Sequence, residues 1–81
     1  MKYRFSENFA ADLESFPETI QTKFWKQLKF LLSDIRHPSL RAKKYDESDD
    51  IWQSRVDKNI RFYFLIESDT YILLNIKKHP K

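Results

Sequence analysis

An α+β domain is what this 81-residue sequence predicts: an N-terminal strand, a helical hairpin, then an antiparallel three-stranded meander, in the order β-α-α-β-β-β. Two observations carry the prediction. Apolar residues recur at helical spacing up to about residue 40 and alternate with period two beyond it. Aromatic residues make up 16% of the chain, enough to fill a small core with few side chains. A third feature shapes the connections: there is no glycine, so turns fall to Asn, Asp, Ser and Pro.

The segment KYRF (2–5) alternates as a short strand. Ser6 is placed to cap the helix that follows, where Phe9, Leu13 and Phe16 recur on one face. Pro17 ends that helix and suits the first turn of the next. In the second helix Ile20, Phe24, Leu28, Leu31 and Ile35 form one stripe, widened by Trp25 and Leu32, with Lys23, Lys26 and Lys29 away from its centre. The pair His37-Pro38 stops it, because a residue before proline disfavours the α region. His37 itself reads as a capping or surface histidine.

Beyond the helices, RAKKY (41–45) reads as a strand and DESDD (46–50) as a polar loop. Residues 51–57 alternate Ile51, Gln53 and Arg55 against Trp52, Ser54 and Val56. Asp57-Lys58-Asn59 makes a turn in which Asn59 is the residue expected at positive φ. Residues 60–66 set Ile60, Phe62, Phe64 and Ile66 against Arg61, Tyr63 and Leu65; residues 71–77 set Ile72, Leu74 and Ile76 against Tyr71, Leu73, Asn75 and Lys77. The expected core is Phe9, Leu13, Phe24, Leu28, Leu31, Phe62, Phe64 and Leu74. No linker or internal repeat divides the chain, so residues 1–81 are expected to form a single domain.

Composition narrows the function classes. There is no cysteine, hence no disulfide and no thiolate metal site. The two histidines have no ligand-like spacing, and DESDD lacks the glycine and terminal glutamate of a calcium loop, so no metal or other cofactor is expected. No Ser, His and carboxylate fall in a triad signature, and without glycine no phosphate-cradling loop can form. No apolar run approaches the ~20 residues that span a bilayer, and MKYRFSENF lacks the apolar segment of a secretory signal. A cytoplasmic protein without membrane contact is expected. Net charge is +3, with basic stretches at Arg41, Lys43, Lys44 and in KKHPK, balanced by DESDD.

Parity then gathers a polar set. If Phe62, Phe64, Leu74 and Ile76 face the helices, the opposite face collects Gln53, Arg55, Arg61, Tyr63, Asn75 and Lys77, joined by His79 if the last strand runs on. Like charges placed together on a sheet repel, so folding gains nothing from the cluster. It suits an anionic ligand; the competing reading is an ordinary solvated face, with arginine stems covering Tyr63 and Leu73 or with DESDD as an internal counter-charge.

The element order, the segment WQSRVDKNIRFYF (52–64) and the terminal KKH (77–79) resemble the RelE/ParE toxin superfamily of bacterial type II toxin-antitoxin systems, nearest its RelE and YoeB branch. The resemblance spans nearly the whole chain, and R-V-x-x-x-I-R-F-Y-F is its most specific part. It implies a RelE-like fold, a cognate antitoxin and metal-independent cleavage of messenger RNA on the ribosome. Trp52, Arg55 and Arg61 match Trp and Arg positions of YoeB-type toxins, and His79 falls where these place a catalytic histidine. There are departures. Pro80 replaces the tyrosine that follows that histidine, Gln53 and Arg55 stand for two sheet lysines of RelE, and Asp49 and Asp50 lie only near the expected place of an upstream glutamate. The ParE branch, which poisons DNA gyrase, shares the fold, so a gyrase inhibitor, or an impaired toxin that only binds its antitoxin, is the alternative. On the nuclease reading Arg61 and Arg55 hold the phosphate, His79 moves protons, and Gln53, Lys77, Lys78 and Lys44 bind RNA.

Overall fold

The computed structural model describes residues 1–79; Pro80, and with it the missing tyrosine, lies outside the described residues. The chain runs β1 (Lys2–Phe5), α1 (Phe9–Glu14), α2 (Glu18–Ser33), a 3-10 turn (Pro38–Leu40), β2 (Lys43–Asp46), β3 (Ile51–Arg55), β4 (Ile60–Glu67) and β5 (Thr70–Lys78). This is the expected α+β class, and the strand read at RAKKY is present, although the element order β-α-α-β-β-β does not count it. RAKKY supplies β2, so the meander has four strands rather than three. The sheet order is β1-β5-β4-β3-β2; β1 runs parallel to β5 and every other pair is antiparallel.

The helices cover one face of this mixed sheet. Phe9, Phe24, Leu31, Phe62, Phe64 and Leu73 are each 0% exposed, and Phe24 meets Phe62 edge-to-face at 5.3 Å between ring centroids. Burial of such aromatic area is the main term holding a chain this short together.

Four expectations need correction. Leu74 is only half-buried, and Leu73 and Tyr71 join the core instead. The cause is a β-bulge: Tyr63 pairs with Asn75 but Phe64 pairs with Leu73, so Leu74 is an extra residue and the parity of β5 reverses across it. Asn59 does not take positive φ; Arg41, Asp50 and Ser68 do. The 57–59 turn is held by a side chain, with Asp57 Oδ1 accepting the N–H groups of Asn59 (2.8 Å) and Ile60 (3.0 Å). Ser6 does not cap α1, whose N-cap is Asn8; its hydroxyl donates to the Leu74 carbonyl at 2.8 Å, beside the bulge. Finally, α2 stops at Ser33, before His37-Pro38, with Asp34 in extended backbone. His37 caps the 3-10 turn, its Nδ1 accepting from the Ser39 N–H at 3.2 Å while its ring stacks on Phe30.

One buried polar side chain ties the layers together. Gln27 on α2 is 6% exposed, and its Nε2 donates to the carbonyls of Ser39 (3.0 Å) and Arg55 (2.8 Å). Its Oε1 accepts from the Ser39 hydroxyl at 3.1 Å. A buried amide satisfied this fully fixes the end of β3 against the helix.

Candidate nucleic-acid interface

The uncovered face of the sheet carries two cross-strand rows. In the first, Arg55 pairs with Arg61 and Arg61 with Lys77, so three cations stand side by side on β3, β4 and β5. In the second, Lys43 pairs with Gln53, Gln53 with Tyr63, and Tyr63 with Asn75. Directly opposite residues on paired strands lie within about 4.5–5.5 Å at Cβ, where like charges destabilise. The bulge comes after Asn75 counting from the β5 C-terminus, so the parity argument holds across both rows.

A concavity of about 240 Å³ opens over the second row, lined by Tyr45, Gln53, Tyr63, Lys77, Lys78 and His79. Tyr45 stands edge-on to Tyr63, with centroids 4.9 Å apart, and the Lys77 ammonium lies 5.0 Å from the centre of the Tyr63 ring. Tyr45 is well exposed and Tyr63 buried, giving the concavity one free aromatic wall and one fixed wall. Burial raises the pKa of the Tyr63 phenol, Tyr45 adds to that, and Arg61 opposes it, so the hydroxyl remains a neutral donor. Asn75 Oδ1 is buried without a hydrogen-bond partner among the described residues.

His79 reaches the site because pairing continues past the last strand residue: its N–H donates to the Asn59 carbonyl at 2.7 Å. That bond fixes the His79 backbone next to the β3–β4 turn, while its side chain stays exposed.

Arg61 differs from the expectation of a purely outward side chain. It is half-buried, and its Nη1 donates to the carbonyls of Asp57 (2.7 Å), Ile60 (3.1 Å) and Lys58 (3.5 Å). It thus braces the turn with one nitrogen, and all three of its hydrogen bonds use that nitrogen. The turn carbonyls fix the orientation of the guanidinium.

Lys44 does not join the patch. It pairs with Trp52, whose side chain packs against the core, so it lies on the helix side of the sheet. There its ammonium bonds Asp50 at 2.7 Å, lies 3.9 Å from Glu47 and sits over the Trp52 ring. The hydrogen bond to Asp50 raises the Lys44 pKa. DESDD therefore neutralises Lys44 and leaves the outer rows uncompensated. Lys43, one residue away, takes the outer-face place expected of Lys44.

A larger groove of about 500 Å³ was not anticipated. It lies between α2, the 3-10 turn and the β3–β4 turn, and Arg55 stands where it meets the first row. Lys23, Lys26, Arg41, Arg55 and Lys58 line it against a single carboxylate, Asp57. That local excess of four positive charges surpasses the net +3 of the whole chain. Asp57 is engaged by Lys23 at 3.6 Å and by the turn amides. Lys26, Arg41, Arg55 and Lys58 make no ion pair among the described residues. Only contact between α2 and distant loops brings these cations together, so no sequence window shows them. Tyr45 could have been found, because it shares its parity with Lys43 in RAKKY.

No protein-family model and no curated protein matches the chain by sequence. Solved structures do. A YoeB/ParE toxin from Agrobacterium tumefaciens superposes with a TM-score of 0.82 at 12% identity, over 99% of this chain and 100% of that one. The fold is that of the RelE and ParE toxins. Similar too are the intact E. coli RelBE toxin-antitoxin complex (TM-score 0.76, 12% identity, 99% and 98% covered) and the RelB-RelE antitoxin-toxin complex from Methanococcus jannaschii (0.74, 19%, 91% and 87%). At these identities it is the RelE-type backbone that is shared, and the chemistry of this chain has to be argued from its own side chains. Among the described residues, no helix is long and apolar enough to cross a membrane.

Proposed function

We propose that this chain is the toxin of a toxin-antitoxin pair and a metal-independent, ribosome-dependent messenger RNA endonuclease of the cytoplasm. Residues 1–81 would act as one toxin domain, with an antitoxin that covers the patch as the protein partner. The observation that carries the reading is the cation row Arg55–Arg61–Lys77 set in register beside a tyrosine-walled concavity that includes His79. Aromatic walls accept a base by stacking, and adjacent cations hold the backbone on either side of it.

In the proposed reaction the ribose 2′-oxygen attacks the adjacent phosphorus. The 2′-hydroxyl proton passes to a base, the P–O5′ bond breaks, and the leaving oxygen takes a proton. The products are a 2′,3′-cyclic phosphate and a 5′-hydroxyl. Arg61, and Arg55 beside it, stabilise the charge that builds on the phosphorane, since a guanidinium stays charged and donates in parallel pairs. His79 transfers the proton, as the imidazole that lines the concavity. Tyr63, held neutral, donates a hydrogen bond. Gln53, Lys77 and Lys78 contact the RNA from the walls of the concavity. The basic groove beyond Arg55 extends the phosphate-binding surface.

Induced expression followed by primer extension on cellular transcripts tests the reading. Cuts in codon register within translated frames are expected. Intact transcripts with arrested replication would instead select gyrase as the target.

A further inference from the structure

The groove beside Arg55 is built differently from the open sheet face. Its cations come from separate elements: Lys23 and Lys26 from α2, Arg41 from the end of the 3-10 turn, and Arg55 and Lys58 from β3 and the turn after it. They surround a concavity of about 500 Å³ instead of standing in a row. That volume falls within the ~300–1,000 Å³ of small-molecule sites. Its walls are fixed to one another, because Gln27 bonds the Ser39 and Arg55 carbonyls at once. Pro38 and Val56 add an apolar lining.

The charges here are not spent on folding. Asp57, the one carboxylate of the lining, already meets Lys23 at 3.6 Å and accepts from the Asn59 and Ile60 amides. The Lys26 ammonium lies 6.0 Å from the centre of the Phe30 ring, a contact with no counter-charge.

Arg41 adds an independent observation. It holds φ 47 and ψ 42, in the left-handed region. The other left-handed residues among those described, Asp50 and Ser68, have short polar side chains of the kind that turns use. Arginine has no such fit, and asparagine would serve the backbone better there. A long cation kept at a position that disfavours it points to a use for the cation.

Linked phosphates suit this arrangement. A triphosphate concentrates several negative charges in one compact ligand, as the local excess of four positive charges requires. An RNA strand instead spreads its charge one phosphate at a time and is met by cations along a track. Guanidinium groups fork onto phosphate oxygens, while ammonium groups act as point charges, and the groove offers both.

We propose that this groove binds a triphosphate group, carried by a free nucleoside triphosphate or by the 5′ end of an unprocessed transcript. Arg41 and Arg55 fork onto its oxygens, Lys26 and Lys58 add point charge, and Pro38 and Val56 support the attached ribose or base. The groove shares no lining residue with the tyrosine-walled concavity. It goes beyond the nuclease reading and stands whether or not the outer face cleaves RNA.

Titration calorimetry on the purified chain at low salt, with tripolyphosphate as the probe, tests this without any cleavage assay. One site per chain is expected, filled about tenfold or more tightly than by orthophosphate or tetraglutamate. Arg41→Asn should weaken the probe about tenfold while melting no lower than wild type, since asparagine accepts the left-handed backbone. A role for Arg41 in the fold alone would give the opposite pair of results. Competition then separates the two sources. Displacement of the probe by ATP selects the free nucleotide, and displacement by a short RNA bearing a 5′-triphosphate selects the transcript end. Equal binding of tetraglutamate or an unchanged affinity in Arg41→Asn would overturn the proposal. So would equal displacement by the same RNA with a 5′-hydroxyl, which would return the groove to ordinary backbone binding and leave the nuclease reading standing.

Discussion

The helix-covered and open faces of the sheet are built from alternate residues of the same strands, yet opposite means organise them. On the covered face Phe62 and Phe64 are fully buried against Phe24 and Leu31. On the open face their immediate neighbours Arg61 and Tyr63 belong to rows of cations and polar groups. The covered face is explained by burial alone. The open face is not, since Arg55, Arg61 and Lys77 repel one another and DESDD, the nearest acidic run, is spent on Lys44. The difference teaches that burial accounts for one face, while the other gathers cations that burial does not account for.

Breaking the covered face should cost most. Phe62→Ala leaves a cavity under α2 and is expected to destabilise by about 3–5 kcal/mol, measured by urea denaturation. A loss under 1 kcal/mol would mean the aromatic cluster is not the stabilising centre.

Gln27→Ala sharpens the comparison, since it touches both faces through the Arg55 carbonyl. It strips two carbonyls of their donor, so a loss of about 1–3 kcal/mol is expected. Amide exchange should rise at the β3 end and in the 3-10 turn, and unchanged exchange there would contradict the role given to Gln27.

The turns give a paired test. Ser68 has φ 53 and Asn59 is not among the positive-φ residues. Ser68→Val should cost about 1–3 kcal/mol, because a β-branched residue resists the left-handed region. Asn59→Val should stay within about 0.5 kcal/mol. The reverse order in thermal melts would refute the turn assignment.

The smallest effect is alkaline. Burial raises the pKa of Tyr63 and Tyr71 above the ordinary 10.0. A raised folded pKa gives stability that is fully present below pH ~10 and lost as pH climbs toward the folded value, since the unfolded chain ionises first. Tyr63→Phe should therefore flatten the fall in melting temperature above pH 10 and leave neutral stability unchanged. An identical alkaline slope would show that Tyr63 does not contribute to it.

Much of this molecule is legible in the sequence because local periodicity reports burial. The stripe Phe24–Leu28–Leu31 and the alternation through Phe62 and Phe64 required nothing but spacing. The misreadings sit where a non-local pairing overrides the local pattern. Leu73 and Leu74 are identical residues, and only the β4–β5 register decides which one is the bulge. Lys43 and Lys44 likewise differ only by which of them meets Gln53. Asn59 was expected at positive φ for its chemistry, but the Asp57 carboxylate had already shaped the turn. The basic groove joins residues from 23 to 58, and periodicity carries no information across that distance.

The central claim is that the open face exists for chemistry on RNA rather than for stability. His79→Ala tests it most directly, because its side chain is exposed while its structural contact is a backbone hydrogen bond that the substitution leaves in place. Transcript cleavage by primer extension and thermal melting should be measured together, with Arg61→Ala alongside. The account predicts a melting temperature for His79→Ala within error of wild type and cleavage lower by about 10²–10⁴-fold. Arg61→Ala should lose about 10²–10³-fold in cleavage and, through the turn carbonyls it leaves, about 1 kcal/mol of stability. A folded His79→Ala variant that cuts as fast as wild type, or a wild-type chain that cuts no transcript, would contradict it.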